Sequence, residues 1–191
     1  VRNSSTHPAA TQRRAFTLIE LLIVVVLLGI AGAMVIPQMG TVGALRAHGA
    51  LRTIVSDITY AQSDAIAFQQ PRAVQFDTAS SSYRLIQVVG TTVSATNTMY
   101  DASNYKAGGR YVVTFDGNES FGGARISAVS FTGVTPSNTL IFDEMGTPVI
   151  AAGSNTPSTG GSVTVSTPDN TYVITIEAYT GRVAVRKTAG N

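Results

Sequence analysis

The sequence predicts an α+β protein: a long N-terminal helix, membrane-spanning in its first half, packed on an antiparallel β-sheet domain. Three observations predict it. Residues 16–36 form an apolar run whose only clearly polar members are Thr17 and Glu20. Apolar side chains then recur at i, i+3, i+4 and i+7 as far as Phe68. From Arg72 the period shortens to that of strands, with Gly, Ser, Asn and Pro between them. On this pattern the chain divides into a basic leader (1–15), a transmembrane helix (16–37), the outer half of the helix (38–70) and a β-rich globular domain (71–191).

The apolar run comes first. Its 21 residues, at about 1.5 Å each, cover roughly 31 Å, enough to cross a hydrocarbon core. Arg13 and Arg14 stand just before it, so the positive-inside rule places the N-terminus in the cytoplasm and the remainder outside. Glu20 is out of place there: a carboxylate at mid-bilayer costs about 2.5–3.5 kcal/mol, so it calls for a partner. An ordinary secretory signal cleaved near Ala31-Gly32-Ala33 would need no such acid.

The outer helical half follows. Leu51, Ile54, Val55, Ile58, Ala61, Ala65 and Phe68 fall on one face, while Arg52, Asp57, Gln62 and Asp64 fall largely elsewhere. Pro37, with Gly40 and Gly43, loosens the helix near its membrane exit, and Pro71 ends it. Strands are predicted at 73–77, 83–89, 111–115, 126–131, 139–142, 163–166, 172–177 and 182–186. Ser80-Ser81, Asp116-Gly117, Gly160-Gly161 and Asp169-Asn170 mark turns. Residues 90–109 carry little apolar content and read as a mobile surface loop. After the Thr180-Gly181 turn, Val183 and Val185 share one strand face, and Arg182, Ala184 and Arg186 the other.

Charge and composition narrow the function. The chain has 13 basic and 11 acidic residues and no cysteine, so disulfides and thiolate metal sites are excluded. Arg2, Arg13 and Arg14 belong to the leader; without them ten basic residues face 11 acids, a formal −1. The body therefore has no bulk attraction for nucleic acid. His48 is the only histidine beyond the leader, with no G-x-S-x-G, Walker or dinucleotide glycine pattern to accompany it. No catalytic residue, cofactor or metal is expected. Asp116-Gly117-Asn118-Glu119 offers oxygen ligands for calcium, but it lacks the full ligand spacing and reads as a turn.

Ala15-Phe16-Thr17-Leu18-Ile19-Glu20, after two arginines and before the apolar run, resembles the class III leader and N-terminal helix of type IV pilins and pseudopilins. One position departs: the residue before the cut is usually Gly, and here it is Ala15. Leu140-Ile141-Phe142 with Gly146, Tyr172-Val173-Ile174-Thr175-Ile176 and Thr180-Gly181-Arg182-Val183 are similar to the β domain of the GspH/FimT group.

The resemblance implies a pilin-like fold and cleavage by a prepilin peptidase between Ala15 and Phe16. It also implies methylation of the new Phe16 amine and retention of the apolar helix in a bacterial inner membrane, with the C-terminal domain periplasmic. Phe16, Glu20 and Pro37 become assembly residues, Glu20 facing the amine of a neighbouring subunit. Implied partners are other pilin or pseudopilin subunits, the inner-membrane assembly platform and the lipid bilayer. The implied work is protein secretion through a type II secretion pseudopilus. The alternative is a FimT-like minor pilin of a type IV pilus that binds DNA during uptake through Arg182, Arg186 and Lys187, with Tyr179 the one nearby stacking partner.

Overall fold

A computed structural model describes residues 16–35, 39–104 and 107–190. The chain divides into two compact units, Val1–Gly40 and Thr41–Asn191. The leader with Ala15, and Pro37 in the apolar-to-outer transition, lie outside the described residues.

In the first unit, Thr17 opens α1 (Leu18–Val35). Its hydroxyl accepts the backbone N–H of Glu20 at 3.3 Å, and its carbonyl accepts Leu21 N–H at 3.2 Å. Thr17-Leu18-Ile19-Glu20 therefore reads as the T-x-x-E start signal of a helix, with the acid in the first turn where the helix dipole favours it. At 18 residues α1 spans about 27 Å, against a hydrocarbon core of about 30 Å. Among the described residues no helix is long and apolar enough to cross a membrane.

α2 (Met39–Phe68), which belongs to the second unit from Thr41 onward, lies there on two antiparallel sheets. The first has the order β3-β2-β1-β5-β6, with β1 Arg72–Asp77, β2 Ser82–Gln87, β3 Val112–Thr114, β5 Thr139–Phe142 and β6 Pro148–Val149. The second has the order β4-β7-β8-β9, with β4 Arg125–Phe131, β7 Gly161–Ser166, β8 Asn170–Ile176 and β9 Val183–Gly190. Seven antiparallel pairings set the register, two of them, β1–β5 and β4–β7, between strands that are not consecutive in the chain. The sequence anticipated every strand except β6, whose two residues are too few to show a period.

The helix buries Ala47, Ala50, Leu51, Ile54, Ile58, Ala61 and Ala65 against Val74, Phe76, Leu85, Leu140, Val163, Val165, Ile174 and neighbouring core residues. Small alanines let the helix approach closely, and large residues from the sheets fill the remaining volume. Phe76 links the layers: its ring lies 5.6 Å from Tyr83 and 6.1 Å from Phe131, and Tyr83 is 5.9 Å from Phe115.

Three expectations need correction. Phe68 is 64 % exposed, because the helix ends there; Gln69 turns left-handed (φ 49°), and the Phe68 ring meets the Arg72 guanidinium at 5.8 Å instead of the core. Asp57 and Asp64 are buried, at 6 % and 8 %, and not on the solvent face. Finally, the loop following β2 does not stand off as a plain surface loop. Met99 N–H bonds Leu85 carbonyl at 2.8 Å, Tyr111 N–H bonds Met99 carbonyl at 2.8 Å, and Val93 and Met99 pack on the core.

Candidate functional site

The amino end of α1 carries the residues singled out for assembly. Phe16 and Glu20 are four residues apart, so they fall on one side of the helix start, and with Leu21 and Val24 they line a shallow apolar recess of about 200 Å³. Phe16 is 81 % exposed and Glu20 is exposed. The apolar side chains at 18, 19, 21–28 and 30 are between 48 % and 85 % exposed, on every side of the helix. A helix apolar all round has no water-facing side. Each such side chain gains about 1.5–3 kcal/mol when fully covered, so α1 is built to be enclosed by lipid or by other helices. The Thr17 cap takes only the backbone N–H of residue 20 and makes no demand on the Glu20 side chain, and the sequence reading missed it although the T-x-x-E spacing was there to be read.

Arg186 and Lys187 are on β9 at the edge of the second sheet, and Arg182 lies just before that strand. β9 pairs with β8 alone: Val183 lies opposite Ile176, Val185 opposite Ile174, Arg186 opposite Val173 and Lys187 opposite Tyr172. Ile176, Ile174 and Tyr172 are buried, so Val183, Val185 and Lys187 face α2, while Ala184 and Arg186 face outward. Arg186 and Lys187 are exposed and sit on opposite faces of the strand. Arg182 is paired with Glu177 at 3.3 Å and projects from the Tyr179–Gly181 turn. The structure thus brings the three cations to one sheet edge but not to one face. Tyr179 is 71 % exposed beside them, held in the left-handed region (φ 63°).

Between β9 and α2 lies an apolar groove of about 390 Å³, lined by His48, Leu51, Arg52, Val55, Ser56 and Val185. His48 packs edge-on against Tyr172 with ring centroids 5.6 Å apart. Asp116 forms an ion pair with Arg125, and Gly117 (φ 69°) makes the turn after it. Among the described residues no group of His, Cys, Asp and Glu could hold a metal ion.

Two side-chain clusters escaped the sequence reading because their members are far apart in the chain. Asp57 on α2 accepts Tyr83 Oη–H at 2.5 Å and Tyr111 Oη–H at 2.8 Å. Burial pushes its carboxyl pKa up, and the two phenol hydrogen bonds pull against that. Burial beside the carboxylate pushes both tyrosines up in turn. Gln62 Nε2 donates to the carbonyls of Gly146 and Thr180, each at 2.8 Å, and so ties two turns to the helix. These clusters join elements; they hold no nucleophile next to a base.

Residues 11–36 match the family model described as the prokaryotic N-terminal methylation motif. No curated protein matches the chain. Among solved structures it is similar to the minor pseudopilin EpsH of the type 2 secretion system of Vibrio cholerae. That likeness has a TM-score of 0.48 and 13 % identity over 75 % of this chain and 97 % of that one. It is also similar to the type IV minor pilin FimU of Pseudomonas aeruginosa, with a TM-score of 0.48 and 13 % identity over 75 % of this chain and 93 % of the other. The type IV pilin-like or pseudopilin resemblance drawn from residues 13–20 is supported by the motif match on those same residues.

Proposed function

We propose that the chain is a prepilin-processed pseudopilin subunit that assembles into a periplasmic type II secretion pseudopilus and serves protein secretion. A prepilin peptidase cuts between Ala15 and Phe16, and the freed Phe16 amine is methylated. The apolar segment 16–37 anchors the chain in the inner membrane with the N-terminus cytoplasmic and the β domain periplasmic. An inner-membrane assembly platform then draws subunits from the bilayer into the filament. The work is recognition and packing, not catalysis. The observation that supports this best is a methylation motif joined to an apolar helix whose one acid lies a turn beyond the cleavage point.

Within an apolar bundle, poorly screened by solvent, the Glu20 carboxylate and a neighbour's Phe16 amine attract far more than they would at a surface. A misplaced subunit leaves both charges unpaired, so the pair sets register as well as attraction. Glu20→Gln isolates the charge: the cap bond to Thr17 comes from the backbone N–H of residue 20 and survives the change, while the carboxylate is lost. The expected result is normal insertion and cleavage with loss of filament incorporation, as for Glu20→Ala. Incorporation at the wild-type level by the Gln variant would overturn the ion pair. Mass spectrometry of the mature protein tests the processing: its first residue is expected to be N-methylated Phe16.

A second reading, a FimT-like minor pilin contacting DNA during uptake, is favoured by three cations within six residues on an exposed sheet edge. It predicts salt-dependent DNA binding that disappears when Arg182 and Arg186 are both changed to Ala.

A further inference from the structure

The edge of β9 and the groove beside it form one continuous surface. Among the described residues, no backbone group outside β8 bonds to β9, so its outer N–H and C=O groups are free along a strand of eight residues. Such an edge is a template for another strand. Here it runs beside apolar walls supplied by Leu51, Val55 and Val185, with Val185 45 % exposed. Arg52 stands at the groove, and Arg186 and Lys187 stand on the strand; none of the three has an ion-pair partner among the described residues. We propose that β9 binds an extended acidic segment of a partner protein, which adds as a fifth strand to the second sheet and seats alternate apolar side chains in the α2–β9 groove.

The chemistry selects this occupant over two others. A second copy of β9 would bring Arg182, Arg186 and Lys187 against their own like charges, which costs free energy at close range. A nucleic acid would engage the cations of one strand face at a time, since Arg186 and Lys187 point to opposite faces, and would leave the apolar groove between strand and helix unfilled. A strand with a period of two satisfies both features: its inward residues meet Val183 and Val185, its outward ones meet Arg186, and a carboxylate near the end of the groove side reaches Lys187. This inference goes beyond filament assembly. It rests on residues 48–56 and 182–187 and makes no use of cleavage, methylation or Glu20.

The test uses the full chain in detergent micelles and a fluorescein-labelled synthetic decapeptide alternating valine with glutamate and threonine. Controls are the same residues in scrambled order and a labelled DNA duplex. The alternating peptide is expected to bind and to slow hydrogen exchange at the β9 amides. Val185→Asp and Arg186→Glu, both exposed, are each expected to weaken binding about tenfold without changing the melting curve. Absence of binding overturns the proposal. Equal binding of the scrambled peptide does so too, since charge alone would then suffice. Tighter binding of DNA, sensitive to Arg186→Glu and indifferent to Val185→Asp, overturns it in favour of a nucleic-acid edge. A chain that fails to enter filaments yet binds the peptide overturns the filament reading alone.

Discussion

Asp57 is a carboxylate kept inside the protein by two phenols, and its stability effect has a definite sign. Its folded pKa is raised above 3.8, so the folded state holds the proton more tightly than the unfolded state. That relative stabilisation is full below 3.8 and fades as pH rises through the raised folded value. Wild type should therefore gain stability relative to Asp57→Asn as the solution is acidified toward 3.8, measured by denaturant unfolding at several pH values. A flat difference would show that Asp57 titrates normally. Asp57→Ala is worse at any pH, because Tyr83 Oη–H is left buried and unpaired; about 1–3 kcal/mol should be lost. Asp64 behaves differently. It pairs with buried Arg72 at 2.5 Å, so Asp64→Ala strands a cation and should cost about 3 kcal/mol, visible as a lowered unfolding midpoint. Neither acid was legible as buried, because helical spacing alone treats a charged side chain as solvent-facing until a partner on another element is known.

At the scale of elements, α2 is the axis of the β domain. Five of the seven apolar positions assigned to its face by periodicity are buried, Val55 is half-buried in the groove wall, and Phe68 is released by the helix end. Gln62 adds a function that periodicity cannot show. Its single amide group holds the turns at Gly146 and Thr180, and the second of these leads directly into β9. Gly181 is in the left-handed region (φ 66°), and a Cβ there would stand 2.7 Å from Gln62 Nε2 and 2.9 Å from the Phe142 ring. Gln62→Ala should cost about 1 kcal/mol and speed hydrogen exchange at residues 143–147 and 178–181 more than in the strands. Uniform exchange across the domain would mean that Gln62 does not tie these turns. Gly181→Ala should be the more damaging change, since it adds backbone strain to a close contact.

For the whole molecule, the two units have opposite solvent requirements. Among the described residues the buried core begins at Ala47 and runs through the β domain, with no member in α1. α1 exposes its apolar surface on all sides and finds no cover within its own unit. Removing residues 1–40 should leave a domain that unfolds cooperatively, with a melting temperature within a few degrees of the full chain, and that stays in solution without detergent. Loss of the cooperative transition would show that the core depends on the removed segment. The apolar surface of α1 calls for cover from outside its own unit, whereas the β domain buries its own core.

Local patterns sufficed for what depends on neighbours in the chain. The apolar run, the helical face around Ile54 and Ile58, the long strands and the Phe16–Glu20 motif all express a period or spacing within a few residues, and period follows from backbone geometry. Tertiary structure decided what depends on residues brought together from afar: Asp57 with Tyr83 and Tyr111, Gln62 with two distant turns, the groove between Val55 and Val185, and the division of Arg186 and Lys187 between two strand faces. A buried charge or a shared edge is defined by the surface packed against it, and that surface exists only once the sheets and the helix have met.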